Sequence, residues 1–259
     1  MIFKRKVYDK LIEWKTLAAG TSAVLLEGAR RIGKSTIVED FAKNEYDDYM
    51  ILDFARESID VKNNFVENMN DLDTFFRNLF LLKGKSLKGK NCVIIFDEVQ
   101  LFPQARQAIK YLVADGRYEY IETGSLISIR KNVKDILIPS EEYRIKMYPM
   151  DFEEYLWANG VQEQTIFYLR ECYEHKEKVS ESVHETLCKL FYSYLVVGGM
   201  PQNVQIYVDT HDIAKVILNQ RSILDLYRLD IARYASENEK LKIKAIFDSI
   251  SAQLNEKNR

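Results

Sequence analysis

An α/β fold, with a parallel five-stranded sheet flanked by helices and followed by an all-helical region, follows from three features of the sequence. Residues 28–35, Gly-Ala-Arg-Arg-Ile-Gly-Lys-Ser, form a glycine loop between an apolar run and a stretch of helical periodicity. Short apolar runs then alternate with amphipathic segments as far as Pro149, the pattern that crossover connections between parallel strands produce. From Asp151 onward the pattern changes to helices.

In chain order, an amphipathic helix is expected from Tyr8 to Leu17. Ala23-Val24-Leu25-Leu26 is suited to a buried strand, and residues 35–42 carry apolar side chains at helical spacing. Residues 49–54 read as a second strand and Leu72–Leu82 as a helix. Cys92–Glu98 is an apolar strand that ends in two carboxylates, and Pro103, suited to a first helical turn, opens a helix through Ala114. Tyr118–Ser125 and Tyr143–Tyr148 supply the fourth and fifth strands, the latter closed by Pro149. Helices are expected over 151–158, 162–177, 183–196, 212–235 and 238–254. Asp151 is a good N-cap, with Glu154 as its capping-box partner, and Gly198-Gly199-Met200-Pro201 breaks the helical run. The expected division is a nucleotide-binding domain over 1–149 and a helical lid domain over 150–259.

The glycine loop carries the chemistry. It fits the pattern Gly-x-x-x-x-Gly-Lys-Ser/Thr without a mismatch. A strand, a glycine loop and a helix N-terminus together present a row of backbone N–H groups to an anion. Gly28 and Gly33 permit a close phosphate approach, Lys34 is expected to reach the β- and γ-phosphates, and Ser35 to ligate Mg²⁺. The loop residues expected to hold nucleotide are Gly28, Ala29, Arg30, Arg31, Ile32, Gly33, Lys34, Ser35 and Thr36. Ligands of open parallel sheets sit beyond the carboxyl ends of the strands, so the polar tips of the other strands should converge on this loop. Asp97 is placed to hold Mg²⁺, and Glu98 to orient or deprotonate the attacking water. A simple nucleoside kinase would not need that glutamate, so the pair points to hydrolysis. In Thr123-Gly124-Ser125, Ser125 lies further out and is the expected γ-phosphate sensor. Asp53 ends the second strand and is read as a loop cap. Arg30 and Arg31 should point outward. Arg117, Arg130 and Arg144 are candidates for an arginine that stabilises the transition state.

Composition bounds the rest. The apolar fraction is 47%, the charged fraction 29% and the net charge −2, so no global field draws the chain to nucleic acid or membrane. Three cysteines and three histidines show no metal-ligand spacing, and an odd cysteine count argues against a disulfide framework. The N-terminus lacks the apolar core of a signal peptide and no run reaches membrane-spanning length, which suggests a cytoplasmic protein. The lysine-rich loop at 83–90 reads as a solvated connection, because no aromatic interleaves the lysines.

Taken jointly, residues 28–36, Phe96-Asp97-Glu98-Val99-Gln100, Glu122-Thr123-Gly124-Ser125, Tyr148–Leu156 and Val197–Pro201 resemble a prokaryotic family of AAA+-type, archaeal-ATPase-like P-loop ATPases. The resemblance implies a sheet with the Thr-Gly-Ser strand inserted between the phosphate-loop and Asp-Glu strands. It also implies that Gly199-Met200-Pro201 is a Gly-x-Pro turn in the lid near the base, with Pro201 at the nucleotide, and that residues near Arg5 and Tyr8 wall the adenine. Members usually continue into a C-terminal domain of unknown function, so the chain is expected to be a truncated product. The absence of an Asn-Lys-x-Asp tetrad also tilts the expectation from GTP to ATP. The expected activity is Mg²⁺-dependent ATP hydrolysis of low intrinsic turnover, driving a conformational or assembly switch. The alternatives are a non-turnover ATP/ADP switch and, with less support, a DNA-associated ATPase. Expected partners are ATP or ADP, a protein of unknown identity and further copies of the chain, with neither nucleic acid nor membrane.

Overall fold

The structure is a computed structural model that describes residues 2–125, 140–235 and 237–255. Its elements are α1 (Lys6–Leu17), β1 (Ala23–Gly28), α2 (Lys34–Glu45), β2 (Asp48–Asp53), α3 (Ile59–Glu67), α4 (Leu72–Lys83), β3 (Cys92–Asp97), a 3-10 turn (Val99–Leu101), α5 (Pro103–Asp115), β4 (Glu119–Ser125) and β5 (Glu142–Met147). The helices α6 (Phe152–Ala158), α7 (Glu163–His175), α8 (Glu181–Val197), α9 (Pro201–Thr210), α10 (Ile213–Tyr234) and α11 (Glu237–Asn255) follow. All five expected strands form, as do the expected helices. Among the described residues two further α-helices, α3 and α9, join them.

The sheet is parallel with order β2-β3-β4-β1-β5, so β4 lies between β1 and β3 as the resemblance implied. Alternation along the strands sends side chains to two cores. One face carries Val24, Leu26, Val93, Ile95, Ile121 and Ile145, covered by Leu11 and Trp14 of α1 and Ile37, Val38 and Phe41 of α2. The other carries Leu25, Leu52, Ile94 and Phe96, covered by α3, α4 and α5. On that side Phe65 packs edge-on against Phe75, Phe96 and Phe102, contacts worth about 0.5–1.5 kcal/mol each beyond area burial. The register sets Thr123 level with Leu26 and Ser125 level with Gly28, and the Phe96–Glu122 pairing brings Asp97 to the height of Thr123. Strand order and register thus gather the tips of β1, β3 and β4.

Contact density divides the chain into two compact units, Met1–Pro201 and Gln202–Arg259. The functional division expected at residue 149 is a separate matter of which residues hold nucleotide. Within the first unit, Asp151 and Glu154 form the expected capping box at the start of α6. Gly199 is pressed onto the chain after β5: Met150 N donates to Gly199 O at 2.7 Å, and a Cβ on Gly199 would lie 2.1 Å from Met150 O. Within the second unit, Asp212 caps α10 by accepting from Ala214 N and Lys215 N, and Arg228 of α10 pairs with Asp248 of α11 at 3.2 Å. Among the described residues no helix is long and apolar enough to cross a membrane.

One charged cluster is buried beneath α5. Arg106 donates twice to Glu142 of β5, at 2.6 and 2.7 Å, with both side chains almost wholly enclosed. Arg144 reaches the same carboxylate at 2.9 Å. On β4, Glu122 is fully buried, and among the described residues neither of its oxygens has a hydrogen-bond partner. Burial drives the Glu122 carboxyl well above its ordinary value, Glu142 adds to this, and Arg106 and Arg144 oppose it. Below the ordinary value of 4.5, the folded and unfolded chains both carry the Glu122 proton. As pH climbs from there toward the raised folded value, the unfolded chain releases its proton first and stability falls. Glu122→Gln is expected to remove that decline. Its melting temperature relative to the unaltered protein should rise as pH climbs above the ordinary carboxyl value of 4.5, and a difference that stays flat would refute the assignment.

Candidate functional site

The site begins where β1 ends. A Cβ on Gly28 would lie 2.4 Å from Met147 O and 2.6 Å from Ile32 Cδ1, so only glycine fits between the loop and the end of β5. Arg31 takes φ 64° and Gly33 takes φ 93°, left-handed conformations that turn the chain around the loop and into α2. Ile32 is buried in the core and anchors the loop, whereas Ala29, Arg30, Arg31, Ser35 and Thr36 are exposed. Lys34 crosses the loop, and its Nζ donates to Gly28 O at 3.1 Å and Ala29 O at 2.7 Å. Burial lowers the Lys34 ammonium from its ordinary value, and the Arg30 charge adds to that. Glu98 and Asp97 pull it back up.

Beside the loop, two hydroxyls meet at one carboxylate oxygen. Ser35 Oγ donates to Asp97 Oδ1 at 2.9 Å, and Thr123 Oγ1 donates to the same oxygen. Thr123 Oγ1 in turn accepts from Glu98 N at 3.2 Å. Glu98 itself adopts φ 55°, a left-handed conformation uncommon outside glycine, at the point where β3 enters the 3-10 turn. The hydroxyl brought to the carboxylates is therefore that of Thr123. Ser125, the expected γ-phosphate sensor, is buried at the end of β4, and its backbone N donates to Gln100 Oε1 at 3.3 Å. Asp53 accepts from Ala55 N at 3.0 Å and caps the turn after β2, as expected.

A second group of residues surrounds the loop from behind. The buried Arg5 guanidinium donates to Ile32 O at 3.0 Å and to Tyr148 O at 2.7 Å, and pairs with Glu154 at 3.1 Å. Glu154 also accepts from Lys6 N at 2.7 Å. Pro201 Cγ lies 3.8 Å, and Arg5 Nη1 3.9 Å, from the position a Cβ would take on Gly33. The Gly-Met-Pro turn is thus seated at the loop. Beside it a cavity of about 420 Å³ opens between the N-terminal segment (Ile2, Phe3, Tyr8) and the flank of α2 (Ile37, Asp40, Asn44). Tyr8 donates to Glu45 at 2.8 Å, and burial together with that carboxylate pushes its hydroxyl up to about 12.

A family described as "AAA domain" matches residues 20–156, more than half of the chain. The chain belongs to this AAA domain family. A second description, "Domain of unknown function (DUF8612)", matches residues 188–259. A curated Haemophilus influenzae relative, named only as an uncharacterized protein, is 24% identical over 237 residues, covering 84% of this chain and 55% of its own length. The chain therefore spans about half the length of that relative. Among solved structures, the S. cerevisiae Hsp104-ADP complex covers 98% of this chain and 39% of its own, at TM-score 0.47 and 16% identity. AMPPCP-bound DnaA from Aquifex aeolicus covers 91% and 74%, at TM-score 0.44 and 9% identity.

As an AAA domain protein the chain is an ATP-binding P-loop protein. Its donor set suits a small hard cation: one hydroxyl and one carboxylate oxygen, 2.9 Å apart. Among the described residues no group of three or more His, Cys, Asp or Glu side chains could hold a metal. Such a site matches Mg²⁺, which keeps waters and takes phosphate oxygens rather than filling an all-protein cage. The candidate arginines are spread apart. Arg117 precedes β4, at the end of the strand opposite Thr123, where it pairs with Asp73 and Asp115. Arg144 pairs with Glu142 within β5, and Arg130 lies outside the described residues. Residue spacing alone links neither Gln100 to Glu98 and Ser125, nor Thr123 to Asp97, nor Arg5 to Glu154.

Proposed function

We propose that this chain is a Mg²⁺-dependent ATPase whose turnover drives a conformational or assembly switch. The observation that carries the reading is the shared oxygen of Asp97, held by Ser35 from the loop helix and by Thr123 from β4, with Glu98 as the next residue. The loop amides and Lys34 would hold the phosphates, and Lys34 would exchange its two loop carbonyls for phosphate oxygens. Ser35 and Asp97 would hold Mg²⁺, which when bound neutralises charge on the β- and γ-phosphates. Glu98 would orient a water and accept its proton, in the role assigned to a catalytic base. Thr123 and Ser125 would contact the γ-phosphate side from the tip of β4. Residues 1–149 would form the nucleotide domain, with the lid domain starting at 150 and Pro201 bordering the nucleotide. The cavity lined by Phe3 and Tyr8 would take the base. Conversion of the γ-phosphate's presence into a change of shape or assembly follows the general logic of nucleotide switches.

The test is ATP binding and single-turnover hydrolysis, with and without Mg²⁺ and across protein concentration. Lys34→Ala is expected to weaken ATP binding by about 10- to 100-fold or more, the value of a lost charge-assisted bond. Binding unchanged by Lys34→Ala would overturn the site. Tight binding with no phosphate release at any protein concentration would leave the non-turnover switch in its place.

A further inference from the structure

Gln100 lies two residues beyond Glu98 in the 3-10 turn and is 5% exposed. Its amide reaches in two directions. Nε2 donates to Glu98 Oε2, and Oε1 accepts from Ser125 N at 3.3 Å. The partners fix the amide's orientation, because a carboxylate without a proton only accepts and a backbone N–H only donates. Glu98 is thereby tied to β4 twice, through its own N–H on Thr123 and through its carboxylate by way of Gln100. Gln100 and its bond to Ser125 N are buried and the bond to Glu98 is half-buried, surroundings in which a hydrogen bond to a charged group constrains direction more than it does in water.

We propose that Gln100 is a positioning residue for hydrolysis: it aims the Glu98 carboxylate and registers it to the strand tip that carries Thr123 and Ser125. The proposal rests on the reading of Glu98 as the base. Two substitutions separate the arms of the amide. Gln100→Glu keeps an acceptor for Ser125 N but places a carboxylate where Glu98 needs a donor. Gln100→Met removes both arms at similar volume.

Single-turnover and steady-state hydrolysis are measured for the unaltered chain, both Gln100 variants and Glu98→Gln, alongside ATP affinity and amide exchange at Ser125. Both Gln100 variants should lower kcat by about 10- to 100-fold with KM and ATP affinity unchanged, the size of one charge-assisted hydrogen bond. The Ser125 amide should stay protected in Gln100→Glu and exchange faster in Gln100→Met. A residue that merely filled the turn would leave Gln100→Glu at the unaltered rate. That result, with Glu98→Gln still slow, overturns the Gln100 proposal alone. A faster kcat in either variant also overturns it, since it would make Gln100 a restraint. If Glu98→Gln turns over as fast as the unaltered chain, or the unaltered chain does not hydrolyse ATP, the base reading falls and Gln100 falls with it.

Discussion

Glu98→Gln is expected to slow ATP hydrolysis by about 10²- to 10⁴-fold while ATP affinity stays within about twofold. Glutamine keeps the size and planarity of the side chain but cannot take a proton from water. The loop keeps its contacts: Lys34 still reaches Gly28 O and Ala29 O, and Ser35 still meets Asp97. The left-handed backbone at Glu98 depends on the chain's path between β3 and the 3-10 turn, which glutamine follows as glutamate does. The measurement is phosphate release at saturating ATP, beside equilibrium binding of the nucleotide. A rate within about threefold of the unaltered protein, under conditions where Lys34→Ala weakens binding as expected, would remove Glu98 from the chemistry.

The largest stability effect is expected from Arg106→Met, a loss of about 3–5 kcal/mol from the sheet-bearing unit. The two bonds from Arg106 to Glu142 lie out of solvent, so losing the cation strands a buried carboxylate near Glu122, another carboxyl without a partner. Arg144 remains on Glu142, but its side chain is 45% exposed and approaches from the solvent side. Equilibrium urea unfolding gives the number. Replacing Glu142 as well, in Arg106→Met/Glu142→Met, should recover much of the loss, because the buried charge leaves with its partner. A single-variant loss below about 1 kcal/mol would show that the pair is hydrated and contributes little.

What could be read from the sequence was what lies close together in the chain. β1, the glycine loop and α2 are contiguous, and their apolar run, glycines and helical spacing state the local structure directly. Asp97 and Glu98 end an apolar strand, so their place at a tip followed from β3 alone. α3 escaped notice because it buries only Val61, Asn64 and Phe65, and its other side chains are mostly polar. The choice between Thr123 and Ser125 could not be made locally. Both point to the α2 side of the sheet, and what separates them is the register of β4 against β3, which puts Thr123 level with Asp97. Gln100 then takes the amide of Ser125. Arg5 and Glu154 pair across most of the first unit, a contact that depends on where β5 ends. Glu122, a charge inside an apolar strand, gave no sign of burial without a partner.

The four residues from Met147 to Met150 have a mechanical consequence. Met147 O backs against Gly28, Tyr148 O holds Arg5, and Met150 clasps Gly199 through its own backbone. Three separate parts of the chain are therefore bolted to one short strut: the phosphate loop, the N-terminal arm and the turn from which α9 departs. The loop and the turn meet the strut through backbone atoms, and the N-terminal arm meets it through the Arg5 guanidinium. A disturbance at the loop reaches Pro201 through main-chain atoms, with no long side chain in the path to absorb it.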